Sequence, residues 1–140
     1  MKNITQARIL NALRASWSAD TAFDAGEWSP ENPARGQCLV SSLVVQDYLG
    51  GELMSYSVVG DGINETHHCN VLPGGVLFDA TESQYDNVHV VQTPKVSDTK
   101  GYASLREKHL ANDYDRSRYD LLKSRVDRAL AGETQIGRRV

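Results

Sequence analysis

The stretch THHCNVLPGGVLFDAT, residues 66–81, decides how this chain folds. Two apolar-rich runs, Thr66–Leu72 and Val76–Thr81, flank Pro73-Gly74-Gly75. That order predicts an antiparallel hairpin with its turn at the glycines. Folding about Gly74 opposes residues whose numbers sum to about 147, so His67 comes to lie almost across from Asp79, where cross-strand Cβ atoms approach to about 5 Å. Asp79 interrupts the apolar run Val-Leu-Phe-Asp-Ala. A carboxylate in such a strand needs a partner, and a nearby imidazole supplies one.

Working outward, Leu53–Val59 reads as a strand before the hairpin and Val88–Gln92 as a possible one after it. Upstream, Leu39, Leu43, Val44 and Tyr48 recur at helical spacing. A helix is expected to start near Cys38, buried on most sides, and to stop at Gly50-Gly51. Residues 4–17 carry a second amphipathic pattern through Ile9, Leu10, Leu13 and Trp17. Asn3 is the expected cap and Gln6 its capping-box partner. Between the two helices, residues 18–37 keep no period. A stretch that long without structure in a small domain is often functional. Past a polar connector at 93–101, Tyr119, Leu122, Val126 and Leu130 mark a C-terminal helix with Asp115 as a possible cap, and 132–140 is expected to fray. The expected class is therefore α+β, helices on a small antiparallel sheet. The chain reads as a single domain, 1–140, with a core over 1–92 and a connector with C-terminal helices over 93–140.

The composition suits one ordinary globular domain: 140 residues, 40% hydrophobic and 24% charged,. Net charge is −3, too balanced to point to nucleic acid. No apolar run approaches the roughly 20 residues that span a bilayer, and the first segment is too often interrupted by polar residues for a signal peptide. A cytoplasmic location and two free thiols, Cys38 and Cys69, follow as expectations. The charge is uneven. Residues 1–96 carry 5 basic and 11 acidic side chains and residues 97–140 carry 10 and 7. The basic part reads first as a solvated helix face, with docking on the acidic body or on a partner as the other reading.

The same order carries chemistry. A thiol attacks as thiolate, and a helix start offers unpaired N–H groups and a partial positive charge. Both favour Cys38 as a nucleophile, with backbone N–H groups available to an oxyanion. A histidine can take the thiol proton and a carboxylate can orient that histidine. The candidate catalytic set is Cys38, His67 and Asp79. Gln37 can stabilise an oxyanion or line the cleft, or be a plain polar residue before a helix. Trp28 and Trp17 can wall a cleft or sit in the core. His68, on the opposite strand face from His67, reads as a substrate-side or surface residue, and Asn70 completes the expected substrate side. Cys69 reads as core packing, and Thr81 and Gln84 as a local cap and a packing group. His67, His68, Cys69 and Asp79 have poor spacing for zinc, so neither metal nor cofactor is expected. Each member of the set also has a bland reading: a small buried hydrophobe, a satisfied structural histidine, a strand-end carboxylate.

Six stretches resemble the bacterial YunG-like family: SWSADT at 16–21, SPENPARGQC at 29–38, LVVQDYLGGE at 43–52, THHCNVLPGG at 66–75, FDATESQY at 78–85 and RSRYDLLKSRV at 116–126. Departures fall at His68-Cys69, where the family pattern carries an aromatic pair, and at Ala80 and Tyr85. The Cys, His, Asp order is similar to that of papain-like and transglutaminase-like proteins, in which the cysteine opens a helix and the other two sit on neighbouring strands. That resemblance implies a papain-like or transglutaminase-like fold, His67 as the base, and a cysteine-dependent hydrolase or acyl transferase acting on an amide, isopeptide or ester bond. It leaves the substrate open. The alternative is a non-catalytic binding or regulatory protein, an inhibitor among the possibilities, on a degenerate thiol-peptidase scaffold.

Overall fold

The computed structural model describes the backbone of residues 4–139 and the side chains of residues 4–133. Helix α1 spans Gln6–Ser16 and α2 spans Cys38–Leu49. Strands β1 (Glu52–Gly60), β2 (Ile63–Leu72), β3 (Val76–Phe78) and β4 (Val91–Lys95) form one antiparallel sheet in the order β3-β2-β1-β4. Helices α3 (Leu105–Leu110) and α4 (Asp113–Arg139) close the chain. The class is α+β, as the patterning implies.

The core lies where α1, α2 and α4 meet the sheet. Ile9 and Leu13 of α1, Val40, Leu43 and Val44 of α2, and Leu122 and Val126 of α4 are all fully buried. The expected stripe Tyr119, Leu122, Val126 and Leu130 is the buried face of α4. Helix α2 is apolar on nearly every side, and even Ser41 and Ser42 are buried. Ser41 Oγ accepts from Trp17 Nε1 at 2.9 Å, which ties the end of α1 to α2 and places Trp17 in the core.

Several boundaries differ from the sequence reading. Thr5, not Asn3, caps α1, its hydroxyl accepting from Arg8 N at 3.2 Å; Asn3 itself lies outside the described residues. Asn112 caps α4 by accepting from Asp115 N at 3.0 Å, so Asp115 sits in the first turn, and the helix runs on to Arg139 instead of ending near 132. The hairpin pairs Asn70 with Phe78 and Leu72 with Val76. Its partners therefore sum to 148, and the ladder stops at Phe78 instead of Thr81. Asp79 stands just past the strand, where the backbone turns into a single 3-10 turn at Glu82–Tyr85. Strand β4 falls three residues later than expected and pairs with the far edge of β1.

The loop 18–37 has no long element but is not loose. Ser18 and Thr21 form a capping box around a 3-10 turn at Ala19–Thr21. Phe23 N donates to Gly36 O at 2.8 Å, and Trp28 Nε1 donates to Pro33 O at 2.9 Å. Gly36 has φ +75°, and a Cβ there would stand 3.1 Å from Phe23 N. The loop thereby folds back on itself and delivers Gln37 and Cys38 to the start of α2. Part of the basic C-terminal segment docks on the body, while Arg116 and Arg128 stay on the solvated face read from its charge. Arg106 pairs with Asp47 at 2.6 Å, Arg118 donates to Thr21 O, and Arg125 donates to Ser16 O and Ser18 Oγ.

Candidate functional site: a thiol, an imidazole and a carboxylate beside a cleft

Cys38 is the first residue of α2 and is partly exposed. The first bond of that helix runs from Ser41 N to Gln37 O, so the N–H groups of Cys38 and Leu39 have no partner within the helix. His67 lies on β2 with no exposed surface. Its Nε2 is 2.7 Å from Asp79 Oδ2, while Asp79 Oδ1 accepts from Thr81 N at 3.3 Å. The Cys38 thiol lies near enough to the same ring to raise its basicity. Burial alone would depress the basicity of His67. The Asp79 hydrogen bond and then the nearby Cys38 outweigh it, and the ring titrates near 9. Because Asp79 occupies Nε2, Nδ1 is the nitrogen left to the thiol.

Cys38 opens on a cleft of about 390 Å³. Leu39, Gln84, Glu65, His68, His109 and Arg118 are among the residues that line it. His68 is almost fully buried, its Nδ1 is 3.4 Å from Ser55 Oγ, and its ring meets that of His109 edge to face. Burial, and then the neighbouring charges of His109 and His67, push its pKa down to about 3. It is a neutral imidazole on the cleft wall, away from the carboxylate. Asn70 is fully buried, and its Nδ2 donates to Ser42 O at 2.9 Å. Gln37 is fully buried with Nε2 donating to Ser18 O at 2.9 Å. Neither these two nor Trp28 borders the cleft. Cys69 is buried, and burial raises its thiol to about 12.

A group that the sequence reading passed over surrounds the histidine. Arg35 grips Glu65 with both terminal nitrogens, at 2.6 and 2.8 Å. Tyr85 donates its hydroxyl to Glu65 at 2.7 Å and packs its ring edge-on against His67. Burial opposes ionisation of Glu65, but the bonds from Arg35 and Tyr85 prevail and hold its carboxyl below the usual range. Gln84 is buried, accepts from Arg35 at 3.2 Å and lies 3.5 Å from His67 Nδ1. The separations of these residues along the chain exceed any local pattern. The one signal available was type: an arginine three residues before Cys38 and a glutamate two before His67. Among the described residues, no group of three or more His, Cys, Asp or Glu is placed to hold a metal ion, and no helix is long and apolar enough to cross a membrane.

The site thus defines a small α+β protein with a thiol at a helix start and, near it, an imidazole paired to a carboxylate. The family model described as "YunG protein" matches residues 5–131, and the chain belongs to that family. It is 34% identical over 73 residues to a Bacillus subtilis (strain 168) protein titled "Uncharacterized protein YunG". That match covers 52% of this chain and 56% of the relative, so the chain spans about half the length of the curated relative it matches. No solved structure matches significantly.

Proposed function

We propose that this protein is a cysteine-dependent hydrolase or acyl transferase acting on an amide, isopeptide or ester bond. The observation that carries the reading is one ring, His67, held by Asp79 on one nitrogen at 2.7 Å and acted on by the nearby thiol of Cys38, which opens on a cleft. The order of the three groups along the chain is similar to that of papain-like and transglutaminase-like proteins. In the reaction, the proton shared between the Cys38 sulfur and Nδ1 lies on Nδ1, where the raised basicity of the ring favours it, and sulfur forms a bond to the acyl carbon. The carbonyl electron pair moves onto oxygen and returns as the leaving group departs with the proton from Nδ1. Water or an amine then attacks the thioester and regenerates the thiol. Asp79 keeps a proton on Nε2 and offsets the charge on the ring.

One observation favours a second reading, a binding or regulatory protein on an inactive scaffold. His67 has no exposed surface, as a structural histidine would. The deciding experiment is modification of the purified protein by iodoacetamide and by an activated acyl ester across pH, with the labelled cysteine mapped. Cys38 is expected to alkylate at least about tenfold faster than Cys69 below neutral pH, where an unassisted thiol is almost wholly protonated. It is also expected to form a thioester that Cys38→Ser abolishes. Equal rates at the two cysteines, with no acylation, would leave only the binding reading.

A further inference from the structure

Gln84 reaches the cleft from the turn that follows β3, only 4% exposed. Its amide is oriented without ambiguity. Oε1 accepts from Arg35 Nη1 at 3.2 Å, and arginine carries only donors. The amide nitrogen must therefore face the other way. There it donates to Thr81 Oγ1 at 3.1 Å and lies 3.5 Å from His67 Nδ1. Arg35 is in turn fixed by its two-pronged pair with Glu65, and Asn32 Nδ2 pins the backbone by donating to Gln84 O at 3.1 Å. One N–H of the amide is spent on Thr81. The other is aimed at Nδ1, the ring nitrogen that Asp79 leaves to the Cys38 thiol, and 3.5 Å is the outer limit of a hydrogen bond,. A rigidly held donor is under-used beside the nucleophile.

We propose that Gln84 is a catalytic residue of the Cys38 site, whose second amide N–H binds the negative oxygen formed when the thiol attacks a carbonyl. The proposal rests on the thiol-acyl reading above. Its logic is a change of partner. At 3.5 Å the Gln84 N–H is held weakly by Nδ1 when that nitrogen is bare and not at all when it is protonated,. Once Nδ1 holds the thiol proton it is a donor, and the amide has no acceptor there. Attack by the sulfur converts the acyl oxygen to an alkoxide. The freed donor and the unpaired backbone N–H groups at the start of α2 then meet that charge without reorganisation. When the tetrahedral species collapses, the C–O electron pair reforms the carbonyl, the leaving group takes the proton from Nδ1, and Gln84 returns to the ring. Gln37 precedes the cysteine, but it is fully buried and does not border the cleft, so its amide cannot reach that oxygen.

The test separates acyl transfer from simple alkylation. Iodoacetamide displaces iodide at a saturated carbon and forms no oxyanion, whereas an acyl ester does. Gln84→Met and Gln84→Glu are compared with the parent for ester turnover, for Cys38 alkylation against pH, and for unfolding midpoint. Ester kcat/KM is expected to fall about 10²-fold or more in both variants, with the alkylation rate of Gln84→Met unchanged and that of Gln84→Glu kept or raised at low pH, because a carboxylate favours the protonated ring. Should Gln84→Met not fold, Gln84→Glu carries the test, since it retains the Arg35 contact as an ion pair. Ester turnover equal to the parent's, or a parallel fall in turnover and alkylation, would overturn the role of Gln84 and leave the thiol-acyl reading standing. A parent protein that never acylates would overturn both.

Discussion

Asp79 divides its two oxygens between two partners. Oδ2 meets His67 Nε2 and Oδ1 accepts from Thr81 N. The residue is thus both an orienting carboxylate and a turn-forming one, and Asp79→Asn tests the two separately. Asn keeps an oxygen for Thr81 N if its amide group turns toward His67. It then presents a donor to Nε2, and the ring answers by moving its proton to Nδ1, the nitrogen that must receive the thiol proton. Acylation of Cys38 is expected to fall by orders of magnitude, as when other orienting carboxylates are neutralised. Folding free energy should fall by about 1–3 kcal/mol from the lost charged bond at a buried ring. Rate measurements and urea unfolding on the same variant check both. Lost stability with unchanged acylation would make Asp79 structural only.

At the scale of elements, the site depends on register. His67 pairs with Tyr56 across β1–β2, and that ladder begins with Glu52 opposite Val71. Gly51, immediately before it, has φ +82°, and a Cβ there would stand 2.2 Å from Val71 O. No flexible side chain can yield, because the obstacle is backbone. Gly51→Ala is expected to cost more than the roughly 1–3 kcal/mol of a side chain forced to positive φ, since β2 must also move away. Thermal unfolding would register the loss, and Cys38 labelling should slow because β2 carries His67 relative to α2. Gly50→Ala, also at φ +75° but with only Pro73 Cγ at 3.6 Å, should show the conformational penalty and little more. The long loop 18–37 belongs to this scale too. Its polar groups bond one another, so it positions Arg35, Gly36 and Gln37 as firmly as an element would, although it has no period to announce it.

For the whole molecule, two adjacent histidines titrate in opposite directions, and stability should follow both. The folded state raises His67 from its ordinary 6.5 to about 9. Its contribution is therefore full below pH 6.5 and is lost as pH rises toward 9. Burial lowers His68 from 6.5 to about 3. Its contribution is full above pH 6.5 and is lost as pH falls toward 3. Urea unfolding across pH should give a maximum near 6.5, with His67→Gln flattening the alkaline limb and His68→Gln the acid limb. An unchanged acid limb in His68→Gln would mean that the carboxylates, Glu65 and Asp115 among them, govern it alone. The basic C-terminal segment also acts at this scale. Arg106, Arg118 and Arg125 reach carbonyls and carboxylates of the N-terminal half, and Arg118 forms part of the cleft wall.

The residues alone determined the class, the helix that begins at Cys38, the hairpin at Pro73-Gly74-Gly75 and the buried stripe of α4. These rest on periods of 2 and 3.6 and on the dihedral freedom of glycine, which are local properties of a chain. They also brought His67 and Asp79 together, because a tight turn makes residues 12 apart into neighbours. Tertiary structure decided the rest. It set the hairpin register one place off and ended β3 before Asp79, since the ladder yields where a side chain finds a better partner in a turn. It turned Gln37 and Asn70 inward, because each buried amide found a carbonyl of the core. It placed Gln84 and Cys38, 46 positions apart, on the lining of one cleft, which no spacing announces. Chain order fixes which groups are available, but bonds across long separations form only after loop closure has been repaid by packing, and which amide faces the thiol is settled by that packing.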